Sequence, residues 1–407
     1  MSRELALLEK LEKELNLKEL QIKSLLTITQ AINDNVSNHG LFNMYRSFLS
    51  WEMGIDVMAL FIKNNEEWES VSNINFELDD YGPLVEQFLN YNRLHTIKEQ
   101  ETPELKDFDI IIPVYHKKQP IAYSLIGGIK NKEDLYNKIQ FITTITNIIA
   151  VAIENKRLFK KQIEQERLNK EMELAGEVQK MLIPDEMPKS NLFELDSIYQ
   201  PHSNIGGDYF DYIKFSEDKF VMCIADISGK GVAAALLMAN FQAMLRNLIF
   251  QYRDLETFVF ALNQTVYRIT KSDKFITFFI AEINAQKKTM TYINAGHYPP
   301  VLFNDNKIIR LDKGCTVIGA FEKLPEITEE TVELVKDALV VSFTDGLPDL
   351  RDEKGNYFDD DTIERFVLKH GKKSAESFNK QLMQDIDEFK GSLNYVDDIA
   401  VLTCKIK

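Results

Sequence analysis

Leucines recur every three or four residues at the start of the chain, among glutamates and lysines. This spacing puts the apolar side chains on one face of a helix. It predicts an N-terminal helix over residues 1–23, whose pattern runs on as far as Ile32 and stops at Asn33. The leucines that define this stripe are Leu5, Leu8, Leu11 and Leu15.

Residues 24–153 alternate between helical and strand-like patterns, which predicts a separate α/β domain. A continuous apolar run over 57–62 indicates a buried strand. Two further apolar runs, 110–114 and 121–128, flank a polar turn, as two strands joined by a short loop would. The pattern over 139–153 predicts a helix that closes the domain.

The closing helix meets no glycine or proline before Gly176. Its apolar positions follow a heptad over 142–163 and then shift phase at Leu168. Such a charged, proline-free stretch is typical of a coiled coil and predicts a linker helix over 154–184 that pairs two copies of the chain in a homodimer. The alternative is a single helix that packs on its own domain. The heptad positions are Ile142, Ile145, Ile149, Ala152, Lys156, Phe159 and Ile163.

From residue 191 onward the chain again alternates between strands and helices. Short polar connections between consecutive strands imply antiparallel neighbours, and two pairs of helical segments accompany them. These signals predict a domain over 185–407 in which two sheets form a sandwich between helices, an α-β-β-α arrangement. The whole chain is thus predicted to be a multidomain protein with α/β and α+β parts.

Composition narrows the classes of partner. The 407 residues carry a formal net charge of −15, which argues against nucleic acid or an anionic membrane as the main partner, because both attract basic surfaces. The longest apolar stretch, 141–153, is too short to span a bilayer. Cys223, Cys315 and Cys404 show neither metal nor disulfide spacing. We therefore expect a cytoplasmic protein with reduced thiols.

Five aspartates stand in four short motifs of the C-terminal half, each beside an apolar, strand-like run. One aspartate in such a place is usually a turn residue or a helix cap. Four strand ends together favour another role, because hard divalent cations bind several carboxylate oxygens from separate segments and a pair of them can activate water for phosphoryl transfer. The aspartates are Asp208, Asp226, Asp345, Asp397 and Asp398.

The order of the motifs resembles the sporulation- and stress-type (SpoIIE-like) branch of the metal-dependent serine/threonine protein phosphatases, over roughly 175–407. The segment 177–184 is similar to the helical lead-in of that branch. The resemblance implies hydrolysis of phosphoserine or phosphothreonine on a small regulatory protein of the kind that antagonises an anti-sigma factor. The motifs are Gly206-Gly207-Asp208, Asp226-Ile227-Ser228-Gly229, Ala295-Gly296-His297, Thr344-Asp345-Gly346 and Asp397-Asp398.

The same resemblance implies two Mn²⁺ or Mg²⁺ ions held by oxygen ligands. Asp208 corresponds to the carboxylate that holds the first ion. Asp226 corresponds to the ligand that bridges both ions, with the Ile227 carbonyl beside it. Water then attacks phosphorus directly, without a covalent enzyme intermediate. The residues that correspond to ligands of the second ion are Asp345 and Asp397, with Asp398 as their support or as an alternative ligand.

The domain at 24–153 resembles a GAF-type sensor domain in the order of its helices and strands and in the segment from Ile112-Pro113-Val114 to Gly127-Gly128. This resemblance implies an unknown small ligand or protein partner at that domain. It also implies that the sensor domain controls the phosphatase through the linker helix.

The chain departs from the family pattern in places. Lys230 stands where many relatives have histidine, and 203–204 where relatives often have a basic residue, so no cation is assigned to bind the phosphate. We expect His297 to order a turn rather than to protonate the leaving oxygen, with His202 as a second candidate for that acid. We expect Asp211 to cap or solvate its loop.

Two other functions compete with the phosphatase. One is a catalytically silent scaffold that binds the same partner, although a silent domain has no physical need to concentrate carboxylates. The other is a nucleotide phosphodiesterase, which would need groups that recognise a base near the site, and the sequence shows none.

Overall fold

The computed structural model describes two compact units, each with its own hydrophobic core. The units are Met1–Glu166 and Arg167–Lys407. The residues described are 2–64, 67–98, 103–129, 135–202 and 205–407. No helix in these ranges is both long enough and apolar enough to cross a membrane.

The first unit is built from five strands and from helices on either side of them. Its helices are α1 (Ser2–Asn33), α2 (Asn38–Ser47), α3 (Gly82–Phe88) and the N-terminal part of α4 (Leu135–Lys180). Its strands are β1 (Val57–Asn64), β2 (Glu67–Ile74), β3 (His95–Thr96), β4 (Ile110–His116) and β5 (Gln119–Gly127).

These strands form one antiparallel sheet in the order β2-β1-β5-β4-β3. Successive side chains of a strand point to opposite faces, so β1 contributes to two separate cores. Leu60 packs with α1, α2 and α4, whereas Phe61 packs with Phe88 of α3. The α/β architecture predicted for this region is therefore present, and its assignment as a GAF-type sensor stays a prediction.

Helix α4 runs without a break from Leu135 to Lys180, and the apolar stripe of its first half packs inside the first unit. Ile142, Ile145 and Ile149 are at most 1% exposed and lie in the core of the first unit. The prediction that they begin an interchain seam was wrong, because the same apolar spacing suits packing on a sheet. The later heptad positions Phe159 and Ile163 are 64% and 51% exposed.

The second unit contains eleven described strands and, besides the end of α4, four helices. Its helices are α5 (Val232–Leu248), α6 (Leu255–Thr270), α7 (Asp360–His370) and α8 (Ala375–Lys390). Its strands are β6 (Phe193–Gln200), β7 (Asp208–Lys214), β8 (Lys219–Ile227), β9 (Ile276–Asn284), β10 (Thr289–Ala295), β11 (Val301–Asn304), β12 (Lys307–Arg310), β13 (Gly314–Cys315), β14 (Glu330–Glu333), β15 (Leu339–Phe343) and β16 (Ile399–Ile406).

Two sheets pack face to face in this unit. One has the order β13-β10-β9-β8-β7, with β14 beside β10, and the other has the order β12-β11-β15-β16-β6. Phe193 of β6 contacts Phe220 of β8 across the interface, with ring centroids 4.2 Å apart. Helix α5 covers the outer face of the first sheet through Phe241, and α7 and α8 cover the second. This arrangement agrees with the predicted α-β-β-α sandwich.

Candidate active site

A cleft of about 190 Å³ in the second unit is lined by all six residues predicted as metal ligands. Asp208 begins β7 and stands opposite Asp226 of β8 in the strand register. Asp345 follows β15, and Asp397 and Asp398 precede β16, which pairs with β15. The ends of two neighbouring strands in each sheet therefore bring carboxylates together that lie far apart in the sequence. The sixth residue is Ile227.

Three glycines of the motifs are required by close packing beside Asp398 and Ile227. The Asp398 carboxylate accepts a hydrogen bond of 2.9 Å from the Gly207 amide. A Cβ atom on Gly206 would lie 2.5 Å from the Asp398 Oδ2, and one on Gly207 would lie 2.9 Å from the Ile227 carbonyl oxygen. A Cβ on Gly346 would lie 1.9 Å from the Asp398 carbonyl oxygen. Any side chain at these positions would push the strand ends apart.

Two polar contacts at the cleft were not predicted. The Thr344 hydroxyl donates a 2.7 Å hydrogen bond to Asp208 Oδ2 in the buried space between the sheets. The Gln179 amide, in the last turn of α4, donates to the Gly206 carbonyl at 2.7 Å and accepts from the Gly206 amide at 3.1 Å. A glutamine at an apolar position of the helical stripe was the signal that could have revealed this contact.

The cleft contains more carboxylates than positively charged side chains to compensate them. Burial, and then the negative charge of Asp226, raise the pKa of Asp208 well above its usual range. Burial, followed by the charge of Asp345, raises the pKa of Asp226 to about 7. Burial and the neighbouring Asp397 also raise the pKa of Asp345. Such a cluster favours binding of cations, since each bound charge would relieve this repulsion.

The donor set fits a hard divalent cation, because every side chain offers oxygen and the glycines keep the space between them free. Among the described residues, no group of three or more His, Cys, Asp or Glu side chains already stands in a metal-binding arrangement. Two of the carboxylates hold other groups: Asp397 Oδ2 lies 2.8 Å from Lys230 Nζ, and Asp398 accepts from backbone amides. The roles of the aspartates as ligands stay a prediction.

The two candidate histidines occupy different environments. His297 is buried, its amide donates to Asn294 Oδ1 at 2.7 Å and its Nδ1 lies 2.9 Å from the Thr277 hydroxyl. Burial lowers the pKa of His297 to about 4, so the ring is neutral near pH 7, which suits a residue that orders a turn. His202 instead lines the cleft, and its Nδ1 donates to the Tyr395 carbonyl at 2.6 Å.

The expectation that Asp211 caps or solvates its loop was wrong. Asp211 is fully buried and accepts two 2.7 Å hydrogen bonds from the Arg246 guanidinium of α5. It also accepts from the Tyr209 hydroxyl at 2.5 Å and from the Tyr212 amide at 2.8 Å. Strand alternation places Asp211 on the same face of β7 as Tyr209, towards α5. The family position at 203–204 lies outside the described residues.

Comparison with known proteins shows which family and fold the second unit resembles. Residues 216–407 match the family described as Stage II sporulation protein E (SpoIIE). The solved SiaA-PP2C domain of Pseudomonas aeruginosa is 17% identical and superposes with a TM-score of 0.54 over 60% of this chain and 99% of that domain. The C-terminal part of the chain is therefore similar to SpoIIE over residues 216–407 and has the fold of the SiaA PP2C domain.

Two curated relatives are phosphatases by name. The chain is 25% identical over 293 residues to phosphoserine phosphatase RsbU of Bacillus subtilis (strain 168), covering 72% of this chain and 83% of the relative. It is 27% identical over 194 residues to phosphoserine phosphatase RsbP of the same organism, covering 46% of this chain and 47% of that relative. These matches confirm the prediction of a protein phosphatase.

Proposed function

We propose that this chain is a metal-dependent serine/threonine protein phosphatase that removes phosphate from a regulatory protein of a partner-switching system, of the anti-sigma factor antagonist type. The observation that carries the proposal is the meeting of four aspartate motifs in one cleft. The similarity to the phosphoserine phosphatases RsbU and RsbP supports the substrate class. We also propose that the protein works in the cytoplasm, where its three cysteines stay free.

The proposed roles follow the residues of the cleft. Asp208 would hold a first Mn²⁺ or Mg²⁺ ion, and Asp226 with the Ile227 carbonyl would supply oxygen ligands to both ions. Asp345 and Asp397 would hold the second. Bound divalent ions would activate a water and neutralise charge on the phosphoryl group. Thr344 fixes the orientation of Asp208 through its hydroxyl, and backbone amides fix Asp398 in the same way.

The test is hydrolysis of an aryl phosphate and of a phosphoserine peptide, with and without Mn²⁺. Asp226→Asn should abolish Mn²⁺-dependent turnover while the circular dichroism spectrum is unchanged, because the amide removes an anionic ligand. Asp305→Asn, the same chemical change in the exposed turn between β11 and β12, should retain full activity. Near wild-type turnover of Asp226→Asn in saturating Mn²⁺ would refute the site. A wild-type protein without Mn²⁺-dependent hydrolysis would favour the silent scaffold.

Control by the first unit, as a GAF-like sensor of an unknown ligand or partner, is the second part of the proposal. The contact that supports it is the pair of hydrogen bonds between Gln179 and Gly206. A rotation or shift at the end of α4 would act directly on the loop that begins β7 and carries Asp208. The exposed heptad positions Phe159 and Ile163 support a homodimer through this helix, because apolar side chains at heptad spacing fit a second helix.

A one-residue insertion after Gln165 tests this coupling, because it turns the downstream helix by about 100°. Basal activity should change strongly if the helix transmits a signal. A seven-residue insertion at the same point returns the helix to within about 20° of its original phase and is the control. Equal activity of the two insertion variants and the wild type, all dimeric by light scattering, would show that the helix is a rigid spacer.

A further inference from the structure

The cleft must bind a phosphoryl dianion although most of its charge is negative. Of the residues that line it, five are aspartates, and Lys230 is the one lysine or arginine among the described residues of that lining. Two divalent ions would offset four of the five negative charges if every carboxylate were ionised. A side-chain cation would therefore make the filled cleft more attractive to a phosphorylated substrate.

Lys230 lines the cleft where a phosphoryl group would bind, but its ammonium group pairs with an aspartate of the cleft. Its Nζ lies 2.8 Å from Asp397 Oδ2, and the side chain is 69% exposed. The pair is open to water, so it is weak and easily exchanged. Asp397 is also a proposed metal ligand, and its oxygen prefers a hard divalent ion to an ammonium group.

The backbone around Lys230 leaves its long side chain free to move. Gly229 and Gly231 on either side have φ of 98° and 75°, which bring the residue over the cleft in a loop before α5. The other nearby lysine, Lys274, lies close to the Gly229 backbone, where an added Cβ would be 2.9 Å from its Nζ. Lys274 is not among the residues that line the cleft.

We propose that Lys230 exchanges partners: it neutralises Asp397 in the metal-free protein, is displaced when metal binds that carboxylate, and then binds the phosphoryl oxygens of the substrate. This inference rests on the proposed function and assigns the phosphate-binding cation that the sequence left open. Before metal arrives, the ammonium offsets part of the negative charge of the cleft, since it lies against Asp397.

Two binding measurements on the full chain test the exchange without measuring turnover. Free Mn²⁺ followed by electron paramagnetic resonance should show that Lys230→Met binds Mn²⁺ at least about threefold more tightly, because the competing ammonium is gone. Calorimetric titration of the Mn²⁺-saturated protein with inorganic phosphate should show binding weakened by about tenfold, the loss of one charged contact. Lys230→Arg should retain the affinity for phosphate.

Lys189→Met is the matched control, because Lys189 forms a solvent-exposed pair with Glu376 in the same unit, at 2.6 Å, with the lysine side chain 50% exposed. It should change neither affinity. Unchanged phosphate affinity or unchanged Mn²⁺ affinity in Lys230→Met would overturn the proposal. A loss of phosphate affinity in Lys274→Met rather than in Lys230→Met would also overturn it. If the wild type binds Mn²⁺ and hydrolyses phosphoserine, any of these results counts against Lys230 alone and leaves the proposed function standing.

Discussion

Replacing Arg246 with alanine should destabilise the second unit and leave the first unchanged. The guanidinium is the main partner of Asp211, which has no exposed surface and lies three positions along β7 from Asp208. After the substitution the carboxylate keeps only the Tyr209 hydroxyl and the Tyr212 amide. A buried carboxylate that loses its cation has lost its charge compensation, and this is the costly kind of ion-pair mutation.

The expected loss is about 3 kcal/mol in the free energy of unfolding of the second unit. Breaking a buried ion pair costs about 3–5 kcal/mol. The Arg246 side chain is 48% exposed, so water replaces part of the interaction and the lower end applies. Arg246→Lys should lose about half as much, because an ammonium cannot make both hydrogen bonds of the planar guanidinium.

The chain provides a convenient assay, because its two tryptophans, Trp51 and Trp68, both lie in the first unit. In a urea titration, tryptophan fluorescence therefore follows the first unit, whereas far-ultraviolet circular dichroism follows both. Arg246→Ala should lower the urea midpoint of the second unit, seen by circular dichroism, and leave the tryptophan fluorescence transition of the first unit unchanged. Arg268→Ala, the loss of an exposed arginine on α6, is the control and should change stability by less than about 0.5 kcal/mol. A loss below about 1 kcal/mol in Arg246→Ala would refute the reasoning from burial.

Two further predictions follow from the cores and the cleft. The double substitution Ile145→Asp and Ile149→Asp should unfold the first unit and abolish its transition in tryptophan fluorescence, since both side chains are buried there. A variant that stays folded but is monomeric would instead support the prediction that these residues pair two chains. Folding raises the pKa of Asp226 from 3.8 to about 7, so in EDTA the second unit should lose stability as the pH rises from about 4 through 7. Amide hydrogen exchange of β8, measured across this pH range, should show the loss of stability in the wild type and a smaller loss in Asp226→Asn. Equal pH profiles for the two proteins would contradict this prediction.

Many of the helices and strands could be predicted from the hydrophobic periodicity of the sequence. Strands β1, β4 and β5 lie where apolar runs predicted strands, and α5 to α8 are the two pairs of helices predicted after residue 191. Helix α1 ends at Asn33, where its pattern stops. The aspartate motifs were also visible, because short glycine and aspartate patterns beside apolar runs are local features. Their meeting in one cleft was foreseen through the ordered resemblance rather than through any single motif.

Hydrophobic periodicity specifies where helices and strands form, and short motifs specify which residue types stand at the ends of the strands. The partners that those residues meet depend on the tertiary structure. Apolar spacing along α4 was compatible with a core or with a second helix, and only packing placed Ile145 inside the first unit. Asp211 meets Arg246, and Lys230 meets Asp397, because sheet register and helix placement join distant segments. Local patterns indicate which apolar faces are buried, but the partner of a polar side chain depends on contacts that no local pattern encodes.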